Sequence, residues 1–252
     1  MQQRHNSLHN GASLVWCCVE QAKGHALADQ LTRQYPACKS IFITADLAEV
    51  NACKHVIDAA EHHFDRLDIL VNVAALTAHG NLLNTSPELF DRMMAINLRA
   101  PFFLMQHAAK MMKAHKIKGS IINIGSISAM AGQSFITAYC ASKGGLNTLT
   151  HNAAHALLPD QIRVNCLNIG WMDSDGEDDI QRKYHGANDG WQQQAGRQLP
   201  FGRLINPAEV ARAIAFLASV ESGLMTGSVI NFDQTVWGAC DGNPAPTQPL
   251  QD

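Results

Sequence analysis

Short apolar runs alternate along this chain with longer stretches in which apolar residues recur every three or four positions. The short runs lie near 13–19, 40–44, 68–73, 119–125, 162–168 and 228–232 and predict strands. One of them, Ser120-Ile-Ile-Asn-Ile, is apolar almost throughout, the pattern of a strand covered on both faces. The helical patterns lie near 21–34, 48–65, 87–115, 137–158 and 207–219. Strand–helix alternation of this kind predicts an α/β domain built on a doubly wound parallel sheet with right-handed crossovers. Between 171 and 200 the pattern lapses into polar, irregular sequence that follows a strand's carboxyl end, where open α/β sheets bind ligands. That segment reads either as a solvated loop or as a cover over a site suited to a polyol, sugar or hydroxy acid. Trp171 and Trp191 would line such a site or anchor its cover to the core.

Composition narrows the reading. A chain of 252 residues, 46% apolar and 16% charged, suits one globular domain with a large core. The formal charge of −3 offers no basic footprint for nucleic acid. The apolar stretches break well short of a bilayer span and the N-terminus lacks a signal peptide's apolar segment, so a cytoplasmic protein without a membrane partner is expected. Seven cysteines, with no Cys-x-x-Cys pair, read mostly as small apolar residues of strands and helices. His151 and His155 share a helix face, but no glutamate follows His151 as a zinc motif requires, and no metal is expected. Residues 240–252 read as a loose tail.

The candidate chemistry lies in the run IINIGSISAMAGQSFITAYCASKGGLNTLT. Tyr139 and Lys143 fall one turn apart on the predicted helix, and Ser126 lies at the end of the preceding strand. A phenol titrates near 10, and an ammonium beside it favours the phenolate, which predicts a lowered pKa for Tyr139. The Ser126 hydroxyl meets a substrate oxygen from the other side and stabilises charge developing there. Together they form a proton-transfer device for interconverting alcohols and carbonyls, with a nicotinamide cofactor carrying the hydride. A second Tyr-x-x-x-Lys pair, Tyr35 and Lys39, has Ala22 where the serine would stand and reads as chance.

On these residues the chain resembles the short-chain dehydrogenase/reductase family, over about 11–238. DILVNVAAL (68–76) is similar to the family's Asn-Asn-Ala-Gly motif, MMAINLRAPFFLMQ (93–106) to its asparagine-bearing helix, QIRVNCLNIGW (161–171) to its sixth strand, and 200–233 to its closing helix and last strand. The resemblance implies a Rossmann-like single domain (11–239, with 1–10 not matching). Tyr139 would be the acid/base and Lys143 its pKa-lowering, ribose-binding partner, with Ser126 orienting the substrate and Asn97 holding a water in the proton relay. It further implies Asp46, Leu47, Asn72 and Gly170, with Tyr139 and Lys143, as contacts to NAD or NADP. A homotetramer or homodimer would form through the helices at 87–115 and 137–158.

Against that pattern, GASLVWCCVEQAKGHALADQL (11–31) already resembles the family's second strand and following helix, and only MQQRHNSLHN precedes it. The first strand and the glycine-rich phosphate loop are therefore expected to be missing. The second strand would then either close against the fourth or leave the sheet open. Val73, Ala75 and Ile169 replace motif residues, and Cys18 stands where an acid often binds ribose; Glu20 nearby leans the cofactor expectation toward NAD. Two functions follow: an NAD(P)-dependent oxidoreductase of secondary alcohols and ketones, or a truncated, non-catalytic relative acting as an oligomerising scaffold.

Overall fold

The computed structural model describes residues 11–130 and 132–238; the expectations for 1–10 and 240–252 lie outside them. The elements run β1 (Leu14–Cys18), α1 (Gln21–Gln34), β2 (Ser40–Thr44), α2 (Val50–Phe64), β3 (Ile69–Asn72), α3 (Pro87–Met94), α4 (Ala100–Ala114), β4 (Ser120–Ser126), α5 (Thr137–Leu157), β5 (Arg163–Ile169), α6 (Asp175–His185), α7 (Trp191–Gly196), α8 (Pro207–Ala218) and β6 (Val229–Phe232). All pairings between named strands are parallel. The fold is a Rossmann-like α/β domain.

Its sheet comes in two pieces, β1-β2 and β3-β4-β5-β6, and no ladder joins β1 to β3. Strand β1 has therefore not closed against β3. Side chains hold the pieces together. Val15, Cys17 and Ile43 of the smaller piece pack into the same cluster as Leu70, Ile121 and Val164 of the larger one, with α2 and α4 supplying Cys53, Ile57, Leu104 and Met112. A second cluster puts Ile122, Ile124 and Leu167 against Val210, Ile214 and Leu217 of α8. All seven residues of β4 are consequently buried, as the apolar run requires. Trp16 instead packs with Leu27 and Leu31 of α1 in a small cluster of its own.

Two expectations are corrected. The helix at 87–115 is not uniformly α-helical: between α3 and α4 a π-turn spans Ala95–Arg99, with the Ala100 amide reaching back to the Ala95 carbonyl. One extra residue in the turn changes which side chains face inward, and Asn97 is fully buried there. The polar segment 171–200 is not irregular either. It forms α6 and α7, and the Ser174 hydroxyl accepts from the Glu177 amide at the start of α6. The Ser-x-x-Glu pattern at 174–177 is a helix-start signal that low hydrophobicity hides when apolar spacing alone is read. Among the described residues, no helix is long and apolar enough to cross a membrane.

Candidate active site

The residues singled out by spacing converge where β4, β5 and α5 meet. Ser126 closes β4 and stands in register with Ile169, the last residue of β5. After a single 3-10 turn and a short loop the chain enters α5, which carries Tyr139 and Lys143 back under the strand end. Close approach of β4 to β5 depends on Gly125, since a Cβ there would meet the Asn168 side chain and lie 2.7 Å from the Cys166 sulfur. Ser126 is buried, and its hydroxyl oxygen accepts from the Ser128 amide at 3.1 Å. Tyr139, half-buried, lies near enough to Ser126 for the serine hydroxyl to act on its phenol. The Lys143 ammonium sits 5.7 Å from the centre of the Tyr139 ring and donates to the Ile124 carbonyl at 2.7 Å.

Electrostatically the pair departs from expectation. Burial pushes the Tyr139 phenol up to about 12; the Ser126 hydroxyl pulls against it, while the charges of Cys140 and Glu177 add to the rise. Burial also brings the Lys143 ammonium down to about 8, opposed by Cys166. The predicted lowering of the tyrosine pKa by Lys143 is thus reversed: desolvation of a phenolate outweighs a cation that is itself desolvated and spends one N–H on a carbonyl.

Asn97 serves as a clasp. Its amide donates to the Leu76 carbonyl at 2.9 Å and to the Ser142 hydroxyl at 3.1 Å, and its oxygen accepts from the Leu76 amide at 2.7 Å. This ties the loop after β3 to α5, and the Gly80–Ile136 bridge reinforces the tie just before Tyr139. Asn72 donates to Asn123 at 2.8 Å, and Asn123 in turn donates to Thr150 at 2.9 Å, a buried polar chain across β3, β4 and α5. The side-chain oxygen (Oδ1) of Asn72 is buried without a partner. Sequence reading did not anticipate Asn123 and Thr150, because nothing in one strand shows what a side chain meets on the next.

The adenine-side candidates lie apart from this cluster, beyond β2. Asp46 accepts from the Ala48 amide at 3.0 Å and pairs with Arg92 at 2.9 Å, and these bonds hold its carboxyl below the usual range. Leu47 packs into the main core. Gly170 follows β5 on the opposite flank, where the Asp233 carboxylate occupies the space a Cβ would need. Over the site, α6 and α7 are fixed by two indoles: Trp171 donates to Glu177 at 2.8 Å, Trp191 donates to Asp178 at 2.7 Å, and their rings stack at 5.9 Å. The anchoring role considered for these tryptophans is the one their hydrogen bonds describe.

Parallel strands, ligand-facing loops at their carboxyl ends and a serine–tyrosine pair at the end of a central strand define the class, an α/β oxidoreductase domain. Comparison with known proteins agrees. The family described as Enoyl-(Acyl carrier protein) reductase matches residues 6–235. Galactitol 2-dehydrogenase of Agrobacterium fabrum is 31% identical over 90% of this chain and 88% of its own. Trans-4-hydroxycyclohexanecarboxylate dehydrogenase of Sinomonas cyclohexanicum is 30% identical over 89% and 83%. The structure of L-sorbose reductase from Gluconobacter frateurii, complexed with NADPH and L-sorbose, superposes with a TM-score of 0.86 at 22% identity, covering 95% and 92%, and attests the fold. The chain belongs to the short-chain dehydrogenase/reductase family, and it is an oxidoreductase of CH–OH groups.

Proposed function

We propose that this chain interconverts a secondary alcohol and a ketone on a polyol, sugar or hydroxy-acid-like substrate, using NAD or NADP. The carrying observation is the pairing of buried Ser126 with half-buried Tyr139 at the end of β4. A bound nicotinamide supplies or accepts the hydride. Tyr139 gives its phenolic proton to the oxygen of a ketone being reduced, or takes the proton of an alcohol being oxidised, and Ser126 orients that oxygen. Lys143, with two N–H groups beyond the one on Ile124, suits a ribose hydroxyl and stabilises the phenolate when charged. Asn97 holds the loop after β3 against α5 and, in this reading, orders a water for the relay.

The cofactor fit is uneven. At the nicotinamide end, Lys143 would offer a donor and the unpartnered Asn72 side-chain oxygen an acceptor, and Gly170 would contribute from the end of β5. At the adenosine end, Asp46 and Leu47 would form the adenine contact. Among the described residues no glycine-rich turn cradles a diphosphate. The split sheet is the observation behind a second reading: a non-catalytic relative that assembles with other chains. Assembly as a cytoplasmic homotetramer or homodimer belongs to both readings. A groove of about 1030 Å³, lined by Arg92, Leu98, Phe102 and Leu149 on the outer faces of α3, α4 and α5, supports it.

Titration of NADH and NADPH fluorescence, followed by turnover on neutral polyols and ketoses, separates the two. Saturable micromolar binding and turnover are expected. A folded chain that binds neither nucleotide would establish the second reading.

A further inference from the structure

We propose that Glu177 is a specificity-determining residue whose carboxylate selects neutral, hydroxyl-bearing substrates over anionic ones at the carbonyl site. The inference rests on the oxidoreductase reading and narrows its substrate class.

The placement follows from short covalent and hydrogen-bonded steps. Ser126 stands in register with Ile169. Two residues further on, Trp171 is fixed by its backbone, its carbonyl accepting from the Ile205 amide at 2.9 Å. Its indole then holds Glu177 Oε1 at 2.8 Å, and Gln181 of the next helical turn donates to the same oxygen at 2.8 Å. Glu177 is only partly buried. One carboxylate oxygen is thus committed to orientation, and Oε2 keeps its acceptor capacity.

Its neighbour behaves differently. Asp178 is neutralised by Arg182 at 2.7 Å and points to Trp191. Among the described residues, no lysine, arginine or histidine lies within salt-bridge distance of Glu177. The two adjacent acids are therefore held by different indoles: Asp178 pairs with Arg182 and braces α7, and the charge of the Glu177 carboxylate is left without an ion-pair partner among the described residues. That charge reaches the Tyr139 phenol, where it disfavours the phenolate. The other groups facing the phenol are Ser126 from β4 and Cys140 and Lys143 from its own helix.

A carboxylate here accepts hydrogen bonds from a substrate's hydroxyls, and these charge-assisted bonds are the strong ones. A substrate carboxylate offers no donor and brings like charge close to the Glu177 carboxylate. Discrimination thus comes from a repulsive element as well as an attractive one. At the far end of the carboxylate's own helix Tyr184 stacks on His79 at 4.2 Å, with Phe135 beside His79 at 5.0 Å, and the exposed Lys183 ammonium lies 4.9 Å from the centre of the Tyr184 ring.

The test is Glu177→Gln in the full chain, an isosteric change that keeps an oxygen for Trp171. The readouts are kcat/KM and calorimetric affinity for a neutral ketose and for a 2-keto acid of the same chain length, with reduced nicotinamide nucleotide present. The ratio of neutral to anionic preference is expected to fall about tenfold or more. Ultraviolet titration should show the phenol absent from Tyr139→Phe titrating lower in Glu177→Gln than in the wild type. An unchanged preference overturns the proposal. So does a collapsed preference with an unmoved phenol, which would mean that α6 had merely loosened. Failure of the wild type to turn over either substrate, with the binding preference still shifting, defeats the oxidoreductase reading while upholding the role of Glu177. Absence of binding to either ligand defeats both.

Discussion

The two pieces of the sheet differ in how their strands are secured. In the larger piece β4 lies between two parallel partners, is covered by helices on both faces, and carries Ser126 at its end over Tyr139 and Lys143. In the smaller piece β1 and β2 pair with each other, most of their residues are half-buried, and a shared core rather than a ladder spans the seam to β3. Acid/base chemistry needs a few groups held to within fractions of an ångström, and it sits on the rigid piece. Nucleotide binding draws on residues from both sides of the seam, including Asp46 on the far side. The proton device and the cofactor platform therefore depend on different parts of the molecule.

The largest expected effect breaks the rigid piece's chemistry alone. Tyr139→Phe should lower kcat at least about a hundredfold while leaving the circular dichroism spectrum and nucleotide affinity intact; preserved turnover would remove Tyr139 from the mechanism. Stability should show the same asymmetry. Ile121→Ala, at a fully buried position of β4, should cost about 2–5 kcal/mol, measured by urea unfolding. Ile43→Ala, half-buried in β2, should cost about half as much or less. Equal losses would mean that the two pieces form one cooperative unit despite the missing ladder.

Asn123→Ala sharpens the comparison within the rigid piece. It strands the Asn72 amide and removes the donor to Thr150, a loss of about 1–3 kcal/mol in the same unfolding assay. The smallest effect is a pH slope. Folded Lys143 releases its proton near 8, whereas an unfolded lysine keeps it to about 10.4. The unfolded chain then binds more protons in that window, so stability rises with pH. Between pH 8 and 9 the gain should be about 1 kcal/mol relative to Lys143→Met. Above 9 the Cys166 thiol, pushed up to about 11, acts in the opposite sense and blunts it.

Much of this was legible in the chain. The six strands, the parallel sheet and the Ser126–Tyr139–Lys143 cluster follow from apolar periodicity and from spacing along one strand and one helix, both short-range properties. The helices α6 and α7 escaped that reading because polar caps and indole hydrogen bonds, rather than an apolar stripe, hold them. The π-turn escaped because one inserted residue leaves the apolar pattern nearly unchanged.

The sequence by itself determined which residues could perform proton transfer and which family the chain resembles, since local order along the backbone already places those groups on common faces. Tertiary structure alone decided how far their pKa values move. Burial raises Tyr139 and lowers Lys143 against the simple pairing expectation, and desolvation depends on every element packed around a group. Tertiary structure also decided that no ladder joins β1 to β3 and that Trp171 holds Glu177 while Trp191 holds Asp178, because those outcomes turn on contacts between segments apart in the chain.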